Sequence, residues 1–486
     1  MTFALALFVV VGFAATIEWL ELPDRAREVG RRSSRSIEIL REGSMSDREK
    51  EKALQQQARE LFGLLGLLFG GSVLAIGGPL VMVWGFGKMG VGSFAGTLDT
   101  LERLDFLAGV TIVGGLGYIL YRLKPTNHRD RYGTFDRFLH RVAFRLKTAQ
   151  RALTDVEEVF YGNVVEDISA DKPVFITALP RSGTTILLRL LWQTERFASH
   201  TYQDMPFVLS PLLWSRYANL LGGKVEATER AHADGLEVSG QSPEAFEEMV
   251  WKRFWPSHYQ EGRIQPWSPE NEKWEFEAFF ERHMRKVIAA RRGDKADDQA
   301  ENLRYLSKNN LNIARLAAPP EPLRRGTVLV PFRDPVQQSA SMLRQHERFL
   351  KIHEEDDFVR EYMEAIGHHE FGKSLKPVDF NGWLNSAPDP SELAFWMRYW
   401  IAAYRFALEH AHEETTFISY ARLTEESEAA LSALADQVGV SESNLVSQAE
   451  ELRSPRAHDV DRSQVATPLM QEARKTYVRL DERAAV

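Results

Sequence analysis

A short polar loop between an apolar strand pattern and an apolar helix pattern carries the clearest chemistry in the sequence. The segment reads PVFITALPRSGTTILLRLL, with a strand predicted over Pro173–Leu179 and a helix over 183–194. A strand that turns at once into a helix directs backbone N–H groups and the positive end of the helix dipole at an anion. The residues that could bind this anion are Arg181, Ser182, Gly183, Thr184 and Thr185. The loop therefore predicts a binding site for an anion of phosphate size.

The loop differs from the loop that binds nucleoside triphosphates. That loop reads G-x-x-x-x-G-K-[ST], and its lysine reaches the terminal phosphates. Here Gly183, Thr184 and Thr185 fill the last three positions, so the lysine is absent, and the first glycine is missing too. The cation stands earlier, at Arg181. The pattern keeps the phosphate cradle but argues against a standard triphosphate site.

A second strand-to-helix junction follows about 150 residues later, in GTVLVPFRDPVQQSASML. Thr327–Pro331 is predicted as a short buried strand, and the helix after it should run to about Arg348. Arg333 offers a planar guanidinium that can bind a second phosphate. Ser341, eight residues after Arg333, offers a hydroxyl, and Ser339 competes with it for this role.

These two motifs together resemble those of the sulfotransferases that use 3′-phosphoadenosine 5′-phosphosulfate (PAPS). Pro180–Thr185 looks like the 5′-phosphosulfate loop in the arginine form of the membrane and Golgi-type enzymes. Gly326–Leu343 looks like the 3′-phosphate motif. The resemblance covers roughly residues 170–440 and implies PAPS as the sulfuryl donor, with no metal. Arg181 to Thr185 would then bind the phosphosulfate, and Arg333 with Ser341 the 3′-phosphate.

Transfer of a sulfuryl group requires a cation near the leaving oxygen and often a base for the acceptor proton. Arg181 fits the first role electrostatically, because its guanidinium is almost permanently charged. The resemblance implies a further lysine near the transferred group, and Lys308 matches it. It also implies a carboxylate about twenty residues after the loop; Asp204 is the first choice and His200 the rival, since neutral histidine suits proton abstraction. The further candidates for the base are Glu244 and Glu247.

The fold predicted for the C-terminal part is α/β: a P-loop-like three-layer sandwich around a central parallel sheet. Thr416–Ser419 is predicted as another strand and Glu392–His412 as a long amphipathic helix, while 241–292 reads as helices rich in aromatic and acidic residues. Strand–loop–helix units joined by long crossovers favour a parallel sheet that is covered on both faces.

The N-terminal part predicts a membrane anchor of about three helices. Leu61–Gly87 has 27 residues without a charge, long enough to cross a bilayer. Met1–Ile17 and Phe106–Tyr121 are shorter, so each could span marginally or lie at the interface. A cleaved signal peptide is the alternative for the first segment. The predicted domains are an anchor at 1–122, a juxtamembrane helical linker at 123–165 and a sulfotransferase domain at 166–486.

Charge placement predicts the orientation of this anchor. Asp24–Glu60 contains ten Lys and Arg residues, and Lys124–Arg151 is also basic, whereas Lys88–Asp105 holds only Lys88 and Arg103. The positive-inside rule therefore puts the C-terminal domain in the cytoplasm of a multi-pass protein. The expected partners are the lipid bilayer and a carbohydrate, lipid or other small acceptor, and a homo-oligomer is left open.

Composition and local patterns exclude several other functions. The 486 residues include no cysteine, which removes disulfides and thiol catalysis, and the net charge of −8 gives no support to nucleic-acid binding. His368, His369 and Glu370 resemble a metal cluster, but adjacent histidines rarely bind one ion, so no metal is predicted. The aromatic residues of 251–280 suit either an acceptor site or a core. A P-loop kinase or nucleotide hydrolase and a catalytically silent membrane protein remain the alternatives.

Overall fold

The computed structural model describes residues 2–20, 47–103, 161–220, 242–271, 273–292, 303–454, 457–460 and 465–486, with isolated residues between these ranges. The chain divides into two compact units, Met1–Thr126 and Asn127–Val486. The third predicted span, 106–121, and most of the linker 123–165 lie outside the described residues.

The first unit contains an antiparallel helical hairpin. The described helices of this unit are α1 (Thr2–Trp19) and α2 (Asp47–Lys88), which form the hairpin, and α3 (Phe94–Glu102). Leu5 and Val9 pack against Val83, whereas Leu22 lies against Gly71, so α1 and α2 run in opposite directions. Of the described helices, one is long and apolar enough to cross a membrane, Gln57–Lys88, and Thr2–Ile17 is a shorter apolar helix.

A parallel sheet lies at the centre of the second unit. The described strands of the second unit are β1 (Val174–Ile176), β2 (Phe197–Ala198), β3 (Thr228–Glu229), β4 (Glu237–Val238), β5 (Tyr259–Gln260), β6 (Arg263–Ile264), β7 (Arg304–Lys308), β8 (Thr327–Phe332) and β9 (Thr415–Ser419). Five of these described strands form the sheet, in the order β2–β7–β1–β8–β9, and all their pairings are parallel. The other four form two small antiparallel pairs.

Helices cover both faces of this sheet. Those described are α4 (Thr184–Gln193), α5 (Pro211–Leu220), α6 (Glu248–Phe254), α7 (Trp274–Arg292), α8 (Glu321–Arg324), α9 (Pro335–Glu355), α10 (Asp357–Ile366), α11 (Leu393–His410), α12 (Tyr420–Glu425), α13 (Ser427–Val438), α14 (Glu442–Val446) and α15 (Thr467–Arg483). Short 3₁₀ helices lie at Tyr202–Asp204, Pro256–His258, Pro269–Asn271, Asn310–Arg315, Gly372–Ser374, Phe380–Ser386 and Ala449–Glu451.

Successive side chains of the strands lie in two different hydrophobic cores, one on each face of the sheet. In β8, Val328 and Val330 point into a large core that includes residues of α6, α7, α9 and α11, while Leu329 points into a smaller core with α4 and α13. Successive side chains of a strand point to opposite faces, so both faces of this sheet are buried. The predicted central parallel sheet with helices on both sides is confirmed.

Several element boundaries differ from the prediction, and one strand of the sheet was not predicted. The strand predicted to Leu179 ends at Ile176, and the helix predicted to Arg348 continues to Glu355. No glycine or proline interrupts that helix, and Asp356, which caps α10 by accepting from the N–H of Phe358, ends it. Strand β7 was not predicted, although it pairs with both β1 and β2.

Candidate functional site

The polar loop lies between the carboxyl end of β1 and the start of α4, as the sequence predicts. Gly183 precedes α4 with a φ of 106°, a left-handed conformation that favours glycine. A Cβ atom at this position would lie 2.4 Å from the ring of Tyr420. The left-handed φ and the nearby Tyr420 ring therefore each require glycine at this position. The absence of a side chain lets the loop backbone lie close to Tyr420, the first residue of α12.

Arg181 brings the two sequence motifs into contact. Its Nε donates to Oγ of Ser341 at 3.0 Å, and its carbonyl oxygen accepts from Arg333 Nη1 at 2.9 Å. Arg181 also has a positive φ of 69°, so the backbone turns at this residue. Residues about 150 positions apart in sequence thus form one cationic cluster at the carboxyl edge of the sheet.

The charge of this cluster suits an anion. Burial lowers the pKa of Arg333, and the neighbouring charge of Arg181 lowers it further, although the ring of Tyr420 offsets part of this. A guanidinium whose charged form is disfavoured by burial and by a neighbouring cation gains from a negative ligand beside it. Ser339 is fully buried on α9, and its hydroxyl does not contact Arg181 or Arg333 in any bond described, so Ser341 is the serine that joins the cluster.

Gln338 connects the loop to its own helix, α9, and to α11. Its side-chain amide donates to the carbonyl oxygens of Pro180 at 3.0 Å and Leu179 at 3.4 Å, and its own oxygen accepts from Trp400 Nε1 at 3.0 Å. Tyr404, one turn along α11, donates to the carbonyl of Pro331 in β8. The sequence analysis did not identify Gln338, because a glutamine in an amphipathic helix gives no signal of its own.

Two further residues of the loop and one of the sheet take positions near this cluster. Ser182 and Thr184 are buried, with Ser182 beside the phenol of Tyr404. Lys308 is buried at the end of β7, in register with Ile176 of β1, so it lies at the same edge of the sheet as the loop. Thr185, in the first turn of α4, is partly buried.

Asp204 and His200 occupy a different environment from the one predicted for a base. Asp204 Oδ2 lies 3.0 Å from His200 Nδ1, accepts from the N–H of Thr201 at 2.9 Å and forms an ion pair with Arg291. Burial raises the pKa of Asp204, but the charge of Arg291 and the bond to His200 outweigh it and bring the pKa to about 2. This carboxylate is fully buried, and its Oδ2 is already bound to Arg291, His200 and Thr201, so its partners suit an ion pair in the interior.

The other ring nitrogen of His200 is also occupied. His200 Nε2 lies 2.9 Å from His283 Nε2, and burial lowers the pKa of His283 well below its usual value. His200 is therefore held between Asp204 and His283 in the interior. These contacts argue against Asp204, the first choice for the base, and against its rival His200.

Glu244 and Glu247 are also buried, and both accept hydrogen bonds from neighbouring side chains. Glu244 accepts from Tyr202, and Glu247 Oε1 accepts from Trp251 Nε1 and from Asn312 Nδ2, each at 2.9 Å. The next residue, Glu248, binds Arg315 through both oxygens, and the Arg315 guanidinium lies between the rings of Trp251 and Trp267. The geometry assigns these carboxylates to a buried network.

The aromatic residues of 251–280 mostly form the core rather than an acceptor site. Those buried in the large core are Trp251, Trp255, Trp267, Phe276 and Phe280. Phe254 and Phe279 are partly buried against them, and Trp274 is 76% exposed. His368 and His369 bind different backbone carbonyls, those of Ala245 and Ser374.

Two cavities in the second unit differ in their relation to the loop. A cavity of about 400 Å³ is lined by Arg253, Phe279, Arg282, His283 and Lys286 among others, and no residue of the 180–185 loop lines it. A much smaller cavity, of about 10 Å³, is lined by Pro180 together with His369, Glu370 and Tyr399. The smaller cavity is the one adjacent to the candidate anion site.

Comparisons with known proteins give a weak likeness. No family model matches the chain, and no curated protein matches it significantly. Among solved structures it is similar to sulfotransferase STF9 from Mycobacterium avium, at 12% identity and a TM-score of 0.40, over 75% of this chain and 89% of that chain. It is also similar to sulfotransferase STF1 from Mycobacterium tuberculosis, at 13% identity and a TM-score of 0.33, over 75% and 91%. Values this low carry no argument about activity.

Proposed function

We propose that the chain transfers a sulfuryl group from PAPS to a hydroxyl or amine of a small acceptor. The observation that supports this most directly is the contact of Arg181 with both Ser341 and Arg333 at the start of α4. Two anion-binding motifs that meet at one edge of a sheet suit a ligand with two anionic groups. PAPS, when bound, would supply the activated sulfuryl group.

The residues present fit such a ligand. Gly183 allows the left-handed turn that leads directly into α4, where the first backbone N–H groups of a helix have no partner within the helix. These N–H groups and Arg181 would hold the phosphosulfate, and Arg333 with Ser341 the 3′-phosphate. Arg181 would stabilise the leaving phosphate by its charge. Lys308, buried at the same edge, would stand near the transferred group.

We propose that the first unit anchors this activity to a membrane. The helix Gln57–Lys88 is long and apolar enough to support one crossing. The basic stretches at 24–60, before the long apolar helix, and at 124–151, after the third apolar segment, favour a cytoplasmic position for residues 166–486. A multi-pass anchor and an acceptor that is a lipid, a glycan or another small molecule belong to the same proposal.

Calorimetry tests the proposed donor. We expect the full chain in detergent to bind 3′,5′-adenosine bisphosphate, and Arg333→Ala to weaken this binding at least tenfold. A charge-assisted hydrogen bond contributes about 1.5–3 kcal/mol, which corresponds to about ten- to a hundredfold in affinity. Arg324→Ala is the matched control, because Arg324 is exposed and pairs with Glu321. Binding of ATP with Mg²⁺ but not of the bisphosphate would favour a kinase or nucleotide hydrolase instead.

A further inference from the structure

The small cavity beside the loop has the size of a reacting group. It is lined by Pro180, His369, Glu370, Lys376, Trp396 and Tyr399, and its volume is about 10 Å³. A cavity of this size holds about one water molecule. Because Pro180 directly precedes Arg181, the cavity adjoins the residue that would face the leaving group. It therefore admits a hydroxyl, while the rest of an acceptor would stay outside.

His369 lines this cavity and has a ring nitrogen without a hydrogen-bond partner among the described residues. The ring is 5% exposed, and Nδ1 lies 3.3 Å from the carbonyl oxygen of Ser374. A carbonyl oxygen only accepts, so Nδ1 carries the proton and Nε2 has a free lone pair. Nε2 is buried and has no hydrogen-bond partner among the described residues. A buried polar atom without a partner is rare in folded proteins and points to a ligand or water that binds it.

The charges around His369 keep this lone pair available. Burial, followed by the charges of Lys252 and Lys376, lowers the pKa of His369 to about 3. The ring packs against Tyr259, whose hydroxyl binds Glu248. A neutral imidazole at physiological pH accepts a hydrogen bond at Nε2 and cannot donate one there.

The cavity wall is fixed to the strand that leads into the loop. Glu370 Oε1 accepts from Asn310 Nδ2 at 3.1 Å, and the carbonyl oxygen of Asn310 accepts from Thr177 Oγ1 at 3.3 Å. Thr177 follows β1 directly and continues toward Pro180. The position of the cavity relative to the loop is therefore set by the sheet itself.

We propose that His369 Nε2 binds and deprotonates the hydroxyl that receives the sulfuryl group. This inference rests on the proposed function and names the acceptor group as a neutral hydrogen-bond donor of hydroxyl size. As the new oxygen–sulfur bond forms, the bond from sulfur to the bridging oxygen of the donor breaks, and that electron pair leaves with the 5′-phosphate. The hydroxyl proton passes to His369 Nε2.

Even a weakly basic imidazole suffices for this step. The oxygen that has bonded to sulfur while still protonated is a far stronger acid than an imidazolium ion, so the proton transfer is downhill. The resulting cation is buried beside Lys252 and Lys376, so it releases the proton readily, to the Glu370 carboxylate or to water. The ring then returns to its neutral form for the next cycle.

Hydrolysis of PAPS tests this role without knowledge of the natural acceptor, because water fits the cavity. His369→Asn keeps a donor toward Ser374 and removes the acceptor atom. We expect the full chain in detergent to release sulfate slowly, and the variant to do so at least tenfold more slowly, with affinity for 3′,5′-adenosine bisphosphate changed less than twofold. His368→Asn is the control, since His368 Nε2 binds the carbonyl of Ala245. That variant should hydrolyse PAPS at the wild-type rate.

Nitrogen NMR of the labelled imidazole rings gives a readout that is independent of turnover. The His369 signals, identified by their loss in His369→Asn, should show a neutral ring protonated at Nδ1 from pH 5 to 8. A charged ring, the other tautomer, or equal hydrolysis by wild type and His369→Asn would overturn the inference, as would a wild type that binds the bisphosphate but releases no sulfate. Failure of the wild type to bind the bisphosphate would instead overturn the proposed function.

Discussion

Gly183 shows how strongly one residue can constrain an anion site. Its φ of 106° and the 2.4 Å approach of the Tyr420 ring to a Cβ atom are independent obstacles to any side chain. We expect Gly183→Ala to move the loop or Tyr420 and to weaken binding of 3′,5′-adenosine bisphosphate at least tenfold, as measured by calorimetry. The left-handed conformation alone would cost about 1–2 kcal/mol of stability.

Gly262 provides the comparison that separates these two effects. It also has a positive φ, of 75°, but a Cβ atom there meets nothing within 4 Å. Gly262→Ala should therefore show a similar conformational cost in thermal unfolding and no change in affinity. Equal affinities of the two alanine variants would mean that the backbone at residue 183 does not contribute to the site.

Asp204 makes a prediction about acid stability. Its pKa in the folded chain is about 2, below the ordinary value of 3.8, so its ionisation stabilises the fold fully above pH 4. That contribution, about 2 kcal/mol, is lost as the pH falls toward 2. We expect Asp204→Asn to be less stable than wild type at pH 7 in urea unfolding, and the difference to shrink below pH 4.

The control for acid stability is Asp357→Asn. The side chain of Asp357 is 79% exposed and lies 3.7 Å from Arg360, so its loss should change the urea midpoint little at any pH. If the deficit of Asp204→Asn were the same at pH 3 as at pH 7, the ionised carboxylate would not be its cause. Unchanged affinity of Asp204→Asn for the bisphosphate would fit its position in the interior.

At the scale of elements, Gln338 joins α9 and α11 to the loop. Gln338→Leu removes the bonds to Leu179 and Pro180 and leaves the Trp400 N–H without its acceptor. A buried donor without a partner costs about 1–3 kcal/mol. We expect urea unfolding to show this loss and calorimetry to show several-fold weaker binding of the bisphosphate, because the loop carbonyls are no longer held.

Glu347→Ala, on the exposed side of the same helix, should change neither quantity. A Gln338→Leu variant that loses stability yet binds the bisphosphate with wild-type affinity would show that Gln338 supports the core alone. The two measurements thus separate a role in positioning the loop from a role in packing.

The elements that the sequence predicted well are those with continuous apolar runs. Strand β8 carries Val328, Leu329 and Val330 between Gly326 and Arg333, and its pattern stands out. Strand β7 carries Arg304, Ser307 and Lys308, so its position beside β1 follows from packing in three dimensions rather than from local composition. Strand β2 has two residues, too few for any periodicity.

The same distinction applies to the site. Arg181, Arg333 and Ser341, which the structure brings into contact, could be selected from the sequence because short motifs at strand-to-helix junctions have a physical meaning. The interior ion pair of Asp204 depends on Arg291, 87 positions away, which the sequence does not reveal. In the sequence, His369 stands out only as part of the segment His368–Glu370, which resembles a metal cluster. Its contact with the carbonyl of Ser374 and its position at the cavity beside Pro180 are visible only in the structure.

At the scale of the whole molecule, the chain combines an apolar helical unit with a polar α/β unit. Helix α2 exposes many large apolar side chains; they include Phe62, Phe69, Val73, Leu74, Ile76 and Trp84. Exposed apolar surface of this extent is typical of a surface that contacts lipid. Gly12 lies against Pro79 so closely that a Cβ atom would come within 2.9 Å, which suits tightly packed membrane helices.

A single charge tests whether α2 lies in a bilayer. Leu74 is half exposed near the middle of Gln57–Lys88, and an arginine at the centre of a spanning helix costs about 2.5–3.5 kcal/mol on insertion scales. We expect wild type to stay with membranes after alkaline carbonate extraction and Leu74→Arg to be extracted in part. Gln55→Arg, which lies just before the apolar stretch, should behave as wild type. Extraction of the wild-type chain itself would show that this helix does not anchor the protein.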